Sequence, residues 1–158
     1  KVPLIVSQPG VIKQRQIKNE LVEMFDLYPT LLELAGIIPP MTKHGMDATS
    51  LAETLTAGKS TKRKYIVSEN WSQASVITDQ HKLGIWLDPT AYAKARDFRS
   101  FGDMLFDSKK DPDEIHNVID SPEYAKVQKQ LREYFDDFTS NVPATGKNEI
   151  IKRAQTKT

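Results

Sequence analysis

Three histidines, His44, His81 and His116, are the first residues to test for chemistry, because imidazole is both a metal ligand and an acid–base group near neutral pH. They are far apart, with none of the i, i+4 spacing that places two ligands on one helix face. His81 is expected as a strand residue beside a hairpin turn. His116 is expected on the surface, in the turn region before the last helix. His44 precedes Gly45 in a loop, and loops supply much of binding function, so it is a candidate substrate contact. The stretch Glu69-Asn70-Trp71-Ser72-Gln73 is the second candidate. An indole between amides can stack on a sugar ring while Asn70 and Gln73 bond its hydroxyls; the alternative places Trp71 as a cap on a small core. Arg96 and Arg99 either pair with an anionic substrate group or stand in solvated surface ion pairs. Asp111, Asp113 and Glu114 lack the glycine and the alternating ligands of an EF-hand loop and read as a turn. The candidate substrate-binding residues are therefore His44, Asn70, Trp71 and Gln73.

With 158 residues, 39% hydrophobic and 27% charged, the chain can bury a real core. A net charge of +1 gives no reason to expect nucleic acid or an anionic membrane as partner. No apolar run is long enough to span a bilayer. The absence of cysteine excludes disulfides, cysteine-ligated zinc and a cysteine nucleophile within these residues. Lys1 opens directly onto an apolar run, which reads as a truncated or processed start.

The elements that must hold these residues follow from pattern. Residues 2–6 form an apolar run bounded by Ser7-Gln8-Pro9-Gly10 and predict a buried strand, with Pro3 confined to its beginning. Residues 11–19 are polar and basic and read as a loop. Asp26 is a suitable N-cap, Pro29 suits a first helical turn, and Leu27, Leu31, Leu34 and Ala35 keep helical spacing up to Gly36, so a helix is predicted over 27–35. A short helix is expected within 50–56, followed by a basic connection over 58–64. Strands are expected at 65–68, 74–78 and 81–87, the last two joined by an Asp79-Gln80 turn, and at 104–106. Ser121-Pro122-Glu123 starts a helix over 122–139. Tyr124, Val127, Leu131, Tyr134, Phe135 and Phe138 line one of its faces.

Several of these segments resemble, in order and spacing, the C-terminal part of the formylglycine-dependent sulfatases of the alkaline phosphatase superfamily. They are Lys1-Val2-Pro3-Leu4-Ile5-Val6 with Pro9-Gly10; Asp26-Leu27-Tyr28-Pro29-Thr30-Leu31-Leu32 with Ala35-Gly36; His44-Gly45-Met46-Asp47 with Ser50-Leu51; Thr78-Asp79-Gln80-His81-Lys82-Leu83; and Leu105-Phe106-Asp107 with Asp111-Pro112-Asp113-Glu114 and Asn117-Val118. The resemblance implies an α/β, alkaline phosphatase-like fold. Residues 1–60 would end the large mixed-sheet domain, residues 61–142 would form a small antiparallel sheet with a packed C-terminal helix, and residues 143–158 a flexible tail. It also implies a parent enzyme that cleaves sulfate esters, expected to be those of a sulfated carbohydrate, in a periplasmic or secreted setting. Its formylglycine nucleophile arises from a Cys/Ser-x-Pro-x-Arg motif, and its calcium is held by carboxylates and an amide. The sequence contains no Cys-x-Pro-x-Arg and no Ser-x-Pro-x-Arg, and its sole Ser-Pro is Ser121-Pro122. The resemblance therefore assigns no catalytic residue and no metal ligand to this chain, which alone is expected to be inactive. Its expected partner is the N-terminal part of the same enzyme, or a second copy. A phosphodiesterase or phosphonate hydrolase of the same superfamily, and a non-catalytic binding module, are the alternatives.

Overall fold

A four-stranded antiparallel sheet backed by one long helix dominates the computed structural model, which describes residues 3–38, 48–70, 73–87 and 102–141. The chain divides into two units, Lys1–Lys64 and Tyr65–Thr158.

In the first unit a 3₁₀ turn, Met24–Asp26, runs into helix α1, Leu27–Leu34, with Pro29 in the first turn where its missing N–H is not needed. Gly36, at φ +74°, ends the helix. Its N–H donates to the Glu33 carbonyl at 2.9 Å and the Ile37 N–H to the Leu32 carbonyl at 2.8 Å, the paired bonds of a Schellman close. Helix α2, Ala52–Ala57, also stops at a left-handed glycine, Gly58. The two helices meet through Thr30, whose hydroxyl donates to the Asp26 carbonyl at 2.6 Å and accepts the Leu51 N–H at 2.8 Å.

Two expectations are corrected here. Residues 3–6 carry no strand, and Ile5 is 89% exposed. A strand requires a second one to take its ladder, and the described residues of this unit supply none. The leucine stripe, which helical spacing predicts to be the packed side of α1, is covered only in part: Leu31 is 63% exposed and Leu27 and Leu34 are half-buried, while Asp26, Pro29 and Thr30 are buried. The described part of this unit packs against α1 on the side that faces Leu51 and Ala52, and leaves Leu31 uncovered.

The second unit carries strands β1 (Ile66–Asn70), β2 (Gln73–Ile77), β3 (His81–Trp86) and β4 (Met104–Asp107), in sheet order β1-β2-β3-β4. Asp79-Gln80 makes the expected turn, closed by the Thr78 N–H donating to the His81 carbonyl at 2.9 Å. Period-two alternation sends Ala74, Val76, Leu83, Ile85 and Leu105 to one face, where Tyr124, Leu131 and Phe135 complete the core. The last two belong to helix α3, Ala125–Asn141, entered through a 3₁₀ turn, Pro122–Tyr124. Ser121 precedes it in extended conformation, but its hydroxyl makes no capping bond. Tyr65 stacks on Tyr134, with ring centroids 4.6 Å apart, and donates its hydroxyl to Asp137 at 2.6 Å. The expected tail over 143–158 lies outside the described residues.

Candidate functional site

Asn70 closes β1 and Gln73 opens β2, directly opposite one another across the two-residue connection 71–72. Directly opposed residues project from the same sheet face, so the two amides stand side by side. Gln73 is opposed in turn by Trp86 of β3. Amide, amide and indole thus form one row across three strands, at the end of the sheet and on the face turned away from the core that Ala74 and Val76 enter. Asn70 is exposed; Gln73 and Trp86 are half-buried.

Trp86 is held firmly. Its indole N–H donates to the Gly102 carbonyl at 2.6 Å, and its backbone N–H donates to Asp103 Oδ1 at 3.0 Å. Asp103 Oδ2 accepts Arg132 at 2.7 Å. The polar edge of the indole is therefore occupied, and the ring surface is what remains for a ligand. Sequence reasoning passed over Trp86, although the Asp79-Gln80 turn contains the signal: counting back from Ile77 opposite Lys82 sets Gln73 opposite Trp86. The arrangement can exchange hydrogen bonds with hydroxyls through the amides and offer an apolar plane beside them. Trp71, His44, Arg96 and Arg99 lie outside the described residues.

The other polar clusters are structural. Asp26 is fully buried in the first unit, but it does not cap α1 through its side chain as expected. Its carboxylate accepts the N–H groups of Glu23 and Thr49, each at 2.8 Å, and both terminal nitrogens of Arg63, at 2.5 and 2.8 Å. Burial pushes the Asp26 carboxyl up, but the Arg63 guanidinium and the two amides outweigh it and hold it below its usual value. In the second unit Asp107 is buried at the end of β4 and accepts Tyr124 Oη at 3.1 Å, Gln80 Nε2 at 3.3 Å and the N–H groups of Lys109 and Lys110 at 3.2 Å. These bonds overcome its desolvation and lower its carboxyl. His81 opens β3, as expected, with Nε2 3.8 Å from Asp107 Oδ2. His116 is on the surface, as expected, 3.6 Å from Asp111.

Among the described residues no group of three or more His, Cys, Asp or Glu side chains is placed to hold a metal ion. The best-placed carboxylates, Asp26 and Asp107, already have their oxygens filled by protein donors. The described residues therefore do not fit a calcium site.

The family model for the C-terminal region of N-sulphoglucosamine sulphohydrolase matches residues 1–141. The Delta 4,5-hexuronate-2-O-sulfatase of Bacteroides thetaiotaomicron is 34% identical over 140 residues, covering 87% of this chain and 28% of that protein. Among solved structures, a candidate sulfatase from Bacteroides thetaiotaomicron superposes with a TM-score of 0.66 at 28% identity, covering 92% of this chain and 30% of that one. A 2-O glycosaminoglycan sulfatase superposes with a TM-score of 0.62 at 30% identity, over 84% of this chain and 28% of that one. The chain thus spans under a third of the length of these relatives. The antiparallel meander with its packed terminal helix is the sulfatase arrangement that these superpositions cover, and the chain belongs to the N-sulphoglucosamine sulphohydrolase C-terminal family of the sulfatases.

Proposed function

We propose that this chain is the C-terminal part of a sulfatase that hydrolyses sulfate esters of a sulfated carbohydrate. The observation that carries the reading is the family match over residues 1–141. It is supported by relatives that are a hexuronate-2-O-sulfatase and a 2-O glycosaminoglycan sulfatase. In that reaction the S–O bond breaks, oxygen from water joins sulfur, and sulfate and the sugar hydroxyl leave. The nucleophile, a formylglycine, and a calcium ion would be supplied by residues outside these 158. This chain's share is to bind and orient the sugar. Asn70 and Gln73 are the donors and acceptors for its hydroxyls, with aromatic surface from Trp86 beside them and from Trp71 between them in sequence; His44, in the first unit, is a separate candidate contact. The N-terminal part of the same enzyme is the partner this reading requires.

The test is release of sulfate from a 2-O-sulfated unsaturated uronate disaccharide, measured for the protein that carries this chain and for residues 1–158 alone. Turnover by the first and none by the second is expected. Turnover by residues 1–158 alone, or release of phosphate from a phosphodiester in place of sulfate, would overturn the reading.

A further inference from the structure

Strand β3 outruns its partner. The pairing of β3 with β4 ends at Gly84 opposite Met104, and continuing that register would set Trp86 opposite Gly102. Gly102 is instead in left-handed backbone, at φ +59°, and β4 starts only at Met104. A Cβ on Gly102 would meet nothing within 4 Å among the described residues, so it is the backbone angle that requires glycine there. The two residues before β4 replace the missing ladder. The Gly102 carbonyl accepts the indole N–H of Trp86 at 2.6 Å, and Asp103 Oδ1 accepts its backbone N–H at 3.0 Å.

Asp103 is itself fixed from two sides. Its Oδ2 accepts Arg132 Nη2 of α3 at 2.7 Å, and its carbonyl accepts Asn117 Nδ2 at 3.4 Å. Arg132 thus reaches from the helix, through one carboxylate, to Trp86. Core packing does not account for this series of bonds: Leu87 packs against the core cluster, whereas Trp86 stands outside it. Stability does not account for it either. The side chains of Arg132 and Asp103 are 42% and 25% exposed, and an ion pair so open to solvent adds little. What the bonds do is immobilise an aromatic plane. Gly102 sets the rotation of the ring, and Asp103 holds the backbone that carries it. A ring already fixed loses no rotamer freedom when a ligand lies on it.

We propose that Asp103 and Arg132 are positioning residues for the Asn70–Gln73–Trp86 row. Arg132 orients the Asp103 carboxylate, and Asp103 with Gly102 holds the indole at the angle at which a sugar ring lies on it while Asn70 and Gln73 bond the hydroxyls. All of these residues belong to the second unit. The inference rests on the sulfated-carbohydrate reading above and adds to it the means by which α3 sets the affinity for the sugar.

The test is a double-mutant cycle on sulfate release from a 2-O-sulfated unsaturated uronate disaccharide by the full protein. Arg132→Gln should raise KM several-fold and leave kcat within about twofold of wild type. Arg132→Lys, which can still donate to Asp103, should recover part of the loss. In a Trp86→Ala background, where KM is already high, Arg132→Gln should change nothing further. Lys129→Gln, which removes an exposed ion pair with Glu133 from the same helix, should match wild type. An unmoved KM in Arg132→Gln overturns the proposal. So does the same rise in KM with and without the Trp86 ring, or an equal rise in Lys129→Gln. A fall in kcat alone, in step with the amount of folded protein, is the signature of a purely structural pair and overturns it too. Each of these outcomes leaves the sulfatase reading standing. A wild type that releases no sulfate overturns that reading, and this inference with it.

Discussion

Replacing Arg63 by alanine should open the first unit. Arg63 meets Asp26 through both terminal nitrogens, at 2.5 and 2.8 Å, with its side chain only 11% exposed and the carboxylate fully buried. Arg63→Ala leaves that carboxylate inside the protein with two donors, the N–H groups of Glu23 and Thr49. Removing one partner of a buried ion pair costs about 3–5 kcal/mol, and the two surviving amide bonds place this case near the lower end. Lys59→Ala, which breaks the exposed pair with Glu53, serves as the internal standard and should cost at most about 1 kcal/mol. The assay is denaturant unfolding followed by circular dichroism, with hydrogen exchange at the Thr49 and Leu51 amides to place the loss in this unit. The pH dependence gives a second reading. Arg63 and the amides hold the Asp26 carboxyl below its unfolded value against the opposing effect of burial. Its contribution to stability is therefore present above the unfolded carboxylate value, about pH 4, and is lost as the pH falls through the lower folded value. The gap between wild type and Arg63→Ala should accordingly narrow on acidification below about pH 4. A neutral-pH difference under about 1 kcal/mol, or a gap that does not change on acidification, would refute the reasoning.

Thr30→Val keeps the shape but strands the buried Leu51 N–H, and should cost about 1–3 kcal/mol by chemical denaturation. Leu131→Ala empties a position only 2% exposed in the second unit's core and should cost about 2–5 kcal/mol. Leu31→Ala, at an exposed position, should stay within about 1 kcal/mol in this chain, and the reverse ranking in melts would show that the leucine face of α1 is covered. The Tyr65 hydroxyl is pushed up to about 12 by burial and by Asp137. Its folded value lies above the unfolded one, so its contribution is complete below about pH 10 and is lost as the pH rises. Tyr65→Phe should lose less stability than wild type over that range, and ultraviolet titration should show one phenol ionising late.

The second unit was legible in the sequence because each decision was local. Alternation marked the strands, Asp79-Gln80 set the register of β2 on β3, and the apolar face from Tyr124 to Phe138 fixed which side of α3 would pack. The first unit was legible only as elements. Asp26 and Pro29 marked a helix start, but the partner of Asp26 is 37 residues away, and no spacing rule connects it to Arg63. Residues 2–6 and the leucines of α1 carry the composition of buried elements, yet burial depends on what stands opposite, which pattern does not reveal. At the candidate site the amides of Asn70 and Gln73 could be named from the sequence; Trp86 joins them only through register.

The bonding pattern of the two units also separates them in time. In the sheet every strand pairs with its neighbour in the chain, and the β1–β2 and β2–β3 hairpins close over connections of two and three residues. The first unit is held by bonds that join residues 37 to 42 apart. Closing a loop of that length costs about 3 kcal/mol of chain entropy before the buried carboxylate gains anything. The meander is therefore the natural nucleus of this chain, and the Asp26–Arg63 clasp the last thing to fasten. A refolding molecule in which the sheet closes first is expected to leave the Asp26–Arg63 ion pair open for a time, which exposes the first unit to proteolysis and to mispairing with other chains.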